Sequence, residues 1–170
     1  YAINKKKYFD LKINSLNFDY VYFPLGYQPE ANTLAFGDEY DDQILAIDRL
    51  SKIIPSSWKI IVKEHPYQRE GLYRGELFFK RLQLINKAIL VDNKNFSSDE
   101  LILSSRFVST VSGNSGWESI RLLKSALLFG RPWYLSCPGV IYIDNLKDIN
   151  ELLNQSWNLK DIEDHMSKIS

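Results

Sequence analysis

An imidazole and a turn rich in small residues stand at two matching places in this chain. His65-Pro66 ends the apolar run Trp58-Lys59-Ile60-Ile61-Val62-Lys63, and Ser112-Gly113-Asn114-Ser115-Gly116-Trp117-Glu118 follows a second strand-like run, Phe107 to Val111. Proline biases the residue before it toward extended backbone. His65 is therefore expected to project from a strand's end, where its ring can donate a hydrogen bond to a phosphate oxygen. The plain alternative is a surface His that merely ends the strand. The second segment leads into a helix whose first N–H groups have no intrahelical acceptor. Such an end binds anions through its donors and its dipole. Gly113 and Gly116 let the backbone turn and approach a ligand, and Ser112, Asn114 and Ser115 add side-chain donors. The alternative is an ordinary strand–turn–helix junction, with Ser115 as cap and Glu118 reciprocating in a capping box. Neither the Walker loop nor the Gly-x-Gly-x-x-Gly fingerprint occurs.

Three further groups carry polar or aromatic chemistry. Gln28 and Glu30, in the loop Gly26-Tyr27-Gln28-Pro29-Glu30, supply an amide and a carboxylate that can read sugar hydroxyls, or they form a polar turn. Arg131-Pro132-Trp133-Tyr134 pairs aromatics with a cation, which suits stacking on a sugar or base or a lid over the core. Asp38, Glu39, Asp41 and Asp42 crowd the start of a helix, where the dipole already accounts for negative charge, so they are read as structural and not as a metal site. His165 reads as a surface residue. His65 and His165 are the only histidines, and neither has a convincing nucleophile for a Ser–His–Asp arrangement.

These residues need strands and helices to place them. Strands are expected at 19–23, 59–63, 88–91, 107–111 and 126–129, with a short sixth at 140–143. Tyr40, Ile44, Ile47, Leu50 and Ile54 follow helical spacing from Asp38 until Pro55. A helix holds Phe78, Leu82 and Ile85. Ser97-Ser98-Asp99-Glu100 is a capping box, with Ser97 as cap. Further helices are expected from Ser115 to about Leu123, around 146–153 and around 159–169. Strands alternating with helices predict an α/β fold: a Rossmann-like parallel sheet with helices on both faces and right-handed crossovers. In such a sheet ligands sit at the carboxyl ends of the strands, so the two opening segments are expected to share one anion site.

Composition limits the function classes. The 170 residues fit one domain with a sizeable core. Lys plus Arg number 21 and so do Asp plus Glu, which gives no support to nucleic acid as the main partner. Cys137 stands alone, so no internal disulfide or cysteine-rich metal site can form, and a reducing, cytoplasmic location is the natural reading. No apolar stretch is long enough to span a bilayer as a helix.

Four segments together carry a resemblance. Phe23-Pro24-Leu25-Gly26-Tyr27-Gln28-Pro29-Glu30, Val62-Lys63-Glu64-His65-Pro66, Ser112-Gly113-Asn114-Ser115-Gly116-Trp117-Glu118 and Phe129-Gly130-Arg131-Pro132-Trp133-Tyr134 resemble, in order and spacing, the bacterial capsule and surface-polysaccharide glycosyltransferases related to the Kdo transferases. Gly26 departs from that pattern, where His is expected, and Asn114-Ser115 replaces a more usual pair of small residues. The resemblance implies a GT-B architecture of two Rossmann-like domains with the active site between them. It makes residues 20–170 the C-terminal, donor-binding half, while residues 1–19, alternating basic and aromatic without a clean period, read as a linker or entry segment. It implies transfer of a sugar from a nucleotide-sugar, with a CMP-sugar favoured, to a surface or capsular polysaccharide. His65 becomes the catalytic ligand of the leaving phosphate. Gln28, Glu30, Lys63, Glu64, Ser97, Ser112, Gly113, Asn114, Ser115, Glu118 and Trp133 become donor-binding residues, with Asn95 to Ser98 near the base.

No metal and no cofactor beyond the donor itself is expected, in keeping with the lack of an Asp-x-Asp pattern in a plausible loop. The partners implied are the nucleotide-sugar, the glycan acceptor, an N-terminal domain of the same protein and membrane assembly machinery at the inner face. The chain alone is then expected to bind nucleotide weakly and turn over nothing. A nucleotide-sugar epimerase and a non-catalytic glycan-assembly module remain open as other classes, because fold does not fix function.

Overall fold

The computed structural model describes residues 13, 15–27, 38–69, 74–92 and 94–169. Among these, six short strands form one sheet: β1 (Tyr20–Pro24), β2 (Lys59–Lys63), β3 (Ala88–Val91), β4 (Val108–Thr110), β5 (Ala126–Leu128) and β6 (Val140–Tyr142). Their order is β3-β2-β1-β4-β5-β6 and every pairing is parallel. This is the doubly wound Rossmann order, in which the winding reverses between β1 and β4 and opens a crevice at the carboxyl ends of those strands. The α/β expectation therefore holds.

Alternation along each strand explains the two covered faces. Val21, Phe23, Ile60 and Val62 turn to one face, where they pack with Ile44, Ile47 and Leu50 of α1 (Gln43–Ile53), Phe79 and Leu82 of α2 (Glu76–Gln83) and Leu152 of α5 (Ile149–Leu153). Tyr20, Tyr22, Ile61 and Val108 turn to the other face, against Leu101 and Ile102 of α3 (Ser98–Ser104). There Ala126 and Leu128 meet Ile120 of α4 (Asn114–Arg121) and Ile162 of α6 (Leu159–Ile169). Ile13, Leu16 and Phe18, within the stretch read as a linker, pack partly buried against the Tyr20 cluster.

Buried polar groups are tied to backbone. Ser109 Oγ donates to the Leu127 carbonyl at 3.1 Å and Ser125 Oγ to the Leu152 carbonyl at 2.6 Å. Lys87 Nζ closes the end of α1 through the carbonyls of Ser51 at 2.7 Å and Ile54 at 2.9 Å. Among the described residues no helix is long and apolar enough to cross a membrane.

Two helix starts differ from the sequence reading. Asp38–Asp41 form a 3-10 turn, and α1 begins only after Asp42, whose extended backbone lets its carboxylate accept from the Ile44 N–H at 3.1 Å. The acidic cluster thus splits, with one member capping. The second difference lies in the site. α4 begins at Asn114, with Gly113 and not Ser115 at the cap position. Ser115 already lies inside the first turn, so the Ser115–Glu118 capping box does not form. In contrast, Ser97 caps α3 as expected, accepting from the Glu100 N–H at 3.1 Å.

Candidate functional site

The carboxyl ends of β1, β2 and β4 enclose a cleft of about 300 Å³, at the small end for a ligand site. It is lined by the turn after β4 (Ser112 to Ser115), by Lys63 at the end of β2 with Glu64, His65 and Pro66 after it, and by Leu25 to Tyr27 after β1. The two opening segments of the sequence therefore do converge. Parallel pairing of β1 with both β2 and β4 brings them to one edge of the sheet.

Each side of the cleft has its own chemistry. At α4, Gly113 has φ −72° and ψ 155° and offers no capping side chain. The first N–H groups of the helix are thus not occupied by a side chain of the cap residue, and the first two helical residues, Asn114 and Ser115, line the cleft. Facing them is His65. Its Nδ1 accepts from the Tyr67 N–H at 3.3 Å, which leaves the proton of the neutral ring on Nε2 as a donor. Tyr27 and Tyr67 flank the imidazole, each with ring centroids 5.6 Å away. A helix N-terminus, backbone N–H groups and an imidazole N–H form a set that suits an anion.

Lys63 forms part of the floor. Its ammonium donates to the Phe96 carbonyl at 2.8 Å and to Ser98 Oγ at 3.2 Å. Burial lowers its pKa, against the pull of Glu100 and Asp99. Tyr22 lies beside it, buried and also lining the cleft. Burial pushes its hydroxyl up to about 12; a hydrogen bond with the Ser98 side chain opposes this and the Glu118 carboxylate adds to it. Glu118, exposed on α4, lines the cleft and takes no part in a capping box.

Glu64 is fixed beneath this rim. Its Oε1 accepts from Arg74 Nε and from the His65 N–H, both at 3.0 Å, and the two side chains of this ion pair are 3% and 2% exposed. Arg74 Nη2 also donates to the Gly26 carbonyl, and the Gln43 amide grips the same peptide, its Oε1 accepting from Gly26 N–H at 2.9 Å and its Nε2 donating to Gly26 O at 3.3 Å. The loop after β1 is thus held by two buried side chains from other elements.

Other expected residues fall elsewhere. Ser97 caps α3 and is not a cleft residue; its neighbour Ser98 is. Trp133 lies outside the cleft lining, its ring centroid 4.8 Å from that of Trp117. Asn95 is exposed on the turn before α3. Gln28 and Glu30 lie outside the described residues. Gly116 does not bring backbone to a ligand. An added Cβ there would meet the Tyr134 hydroxyl at 2.5 Å, so its missing side chain makes room for a buried tyrosine. Ser136 Oγ and His165 Nε2 lie 3.0 Å apart on the surface, tying α6 to the loop after β5.

Tyr22, Gln43, Arg74 and Thr110 were missed by the sequence reading, whereas Ser98 belongs to the stretch expected near the base. Tyr22 and Thr110 read as strand residues and Gln43 as a helix residue. Nothing in local spacing marks a loop arginine as buried. Among the described residues no three His, Cys, Asp or Glu side chains come together as a metal site.

Fold and cleft together define a Rossmann-like α/β protein with a crevice at its topological switch point, consistent with one half of a GT-B fold. The chain belongs to the family described as "Capsule polysaccharide biosynthesis protein", whose model matches residues 33–163. No curated protein matches it significantly. Among solved structures it is similar to a beta Kdo 2,7 transferase, KpsC of Thermosulfurimonas dismutans, with a TM-score of 0.58 and 13% identity over 87% of this chain and 44% of that one. It is also similar to the beta Kdo 2,4 transferase of KpsC from the same organism, with a TM-score of 0.55 and 19% identity over 89% of this chain and 53% of that one. At these identities the likeness is one of fold. The chain spans about half the length of the structures it matches.

Proposed function

We propose that the cleft is the donor site of a glycosyltransferase that moves a sugar from a nucleotide-sugar to a capsular or surface polysaccharide. The observation that carries this reading is the convergence of His65 and the uncapped start of α4 on one crevice at the switch point. Glycosyl transfer leaves negative charge on the departing phosphate. Fixed N–H donors aimed at that charge stabilise it without reorganising. His65 Nε2 and the first N–H groups of α4 are assigned that task. Membership in a capsule polysaccharide biosynthesis family, and the transferase names of the structural neighbours, support the same direction.

A CMP-sugar is the favoured donor, on the resemblance of the His-Pro segment and its companions. The base that activates the acceptor hydroxyl is assigned to a part of the protein beyond this domain. No step in this reading calls on a metal. Calorimetric titration of the chain with CMP, UDP and their sugars tests it. The reading expects heat of binding with at least the CMP compounds. No heat with any of them would sink it.

A further inference from the structure

Glu64 carries an oxygen that its own fold does not use. Oε1 is committed twice, to Arg74 Nε and to the His65 N–H, both at 3.0 Å. Oε2 is buried and has no hydrogen-bond partner among the described residues, although Glu64 lines the cleft. A buried carboxylate oxygen left unpaired forfeits the hydrogen bonds that water gave it in the unfolded chain. The carboxylate is nonetheless locked in place. The end of β2 supplies the His65 N–H, Arg74 just before α2 supplies the guanidinium, and Gln43 of α1 holds the Gly26 peptide to which Arg74 also donates. Three elements thus fix an acceptor beside a set of anion donors.

We propose that Glu64 Oε2 is a specificity determinant of the cleft, accepting a hydrogen bond from a hydroxyl of the bound ligand. This rests on the nucleotide-sugar reading and sharpens it. An ionised carboxylate can only accept, and it repels a phosphate oxygen. It therefore selects the polyhydroxylated part of a ligand, whereas His65 and α4 select its phosphate. A ribose and a sugar share this chemistry, so the two sources are separated by experiment.

The test is a cycle between ligand and protein. The chain and its E64Q variant are titrated with CMP, 2′-deoxy-CMP and 3′-deoxy-CMP for the ribose, and with CMP-Kdo against CMP for the sugar. Gln is isosteric, keeps an oxygen for Arg74 and the His65 N–H, and puts an amide donor in place of Oε2. In one arm the native chain is expected to favour the hydroxyl-bearing ligand by about tenfold, a typical effect of one hydrogen bond to a charged group. In E64Q that ratio is expected to fall severalfold, because the ligand hydroxyl can then at most accept a weaker, neutral hydrogen bond from the amide. Should E64Q not fold, E64D replaces it: it keeps the charge beside Arg74, withdraws the oxygen by one methylene and is expected to lose the same ratio. No preference in either arm for the native chain, or a ratio unchanged in the variants, overturns the proposal and leaves the nucleotide site standing. Failure of the native chain to bind any of the four ligands overturns the donor-site reading itself.

Discussion

The Tyr134 hydroxyl donates to the carbonyl of Gly113, the cap residue just before α4. The loop after β5 thereby holds the helix end on which the anion site depends. Tyr134 is fully buried, and its ring fills the space that a side chain at position 116 would need.

Gly116→Ala should therefore be costly although its backbone is ordinary helix. The new methyl would meet Tyr134 Oη at 2.5 Å, Tyr134 Cε2 at 3.0 Å and Leu128 Cδ2 at 3.1 Å. Overpacking of this kind costs about 1–3 kcal/mol. Urea denaturation should show that loss. Unchanged stability would mean that Tyr134 is not held where it stands.

Ser97→Ala separates a helix cap from the cleft. It removes the acceptor of the Glu100 N–H and should cost about 1 kcal/mol of stability. Nucleotide affinity should not move, because Ser98 and not Ser97 lines the cleft. An affinity loss greater than the stability loss accounts for would restore Ser97 to the donor site.

Alkaline stability should report on Tyr22. Its hydroxyl keeps its proton in the folded chain up to about 12, against an ordinary value of 10.0. Below the unfolded value both states are protonated and the stabilisation is complete. As pH rises from that value through the folded one, the unfolded state binds fewer protons and stability falls. Tyr20, raised to about 12 by burial, adds a limb of the same sign. Lys63 acts oppositely: burial lowers its pKa, so its cost is relieved as pH climbs toward its ordinary value. Tyr22→Phe should flatten the alkaline fall by up to about 2–3 kcal/mol. Urea melts across the alkaline range would show it, and identical limbs in both proteins would contradict it.

Periodicity marked the strands closely because a parallel sheet buried on both faces needs short unbroken apolar runs. Lys59–Lys63 and Ala88–Val91 came out with the expected bounds. The meeting of His65 with Ser112 to Ser115 was legible for the same reason, since strand ends in such a sheet share an edge. The start of α4 was not. Ser115 and Glu118 have capping-box spacing, yet the helix starts earlier, where Tyr134, distant in sequence, holds the Gly113 carbonyl. Arg74, Gln43 and Glu64 form a buried network through contacts between residues as far apart as positions 26 and 74. No local pattern encodes that pairing. Trp133 was drawn to the site as one of an aromatic pair beside Arg131, and its ring contacts Trp117 and Tyr134 outside the cleft lining.

In the proposed site His65 and the start of α4 together hold a phosphate. Calorimetry with CMP and cytidine, on the native chain and on His65→Ala, tests it most directly, because the two ligands differ only by that phosphate. The native chain is expected to bind CMP at least tenfold more tightly than cytidine, a margin of about 1.4 kcal/mol. His65→Ala is expected to remove most of that margin while its melting temperature stays near that of the native chain. Equal binding of the two ligands by the native chain, or a margin that survives the loss of His65, would contradict it.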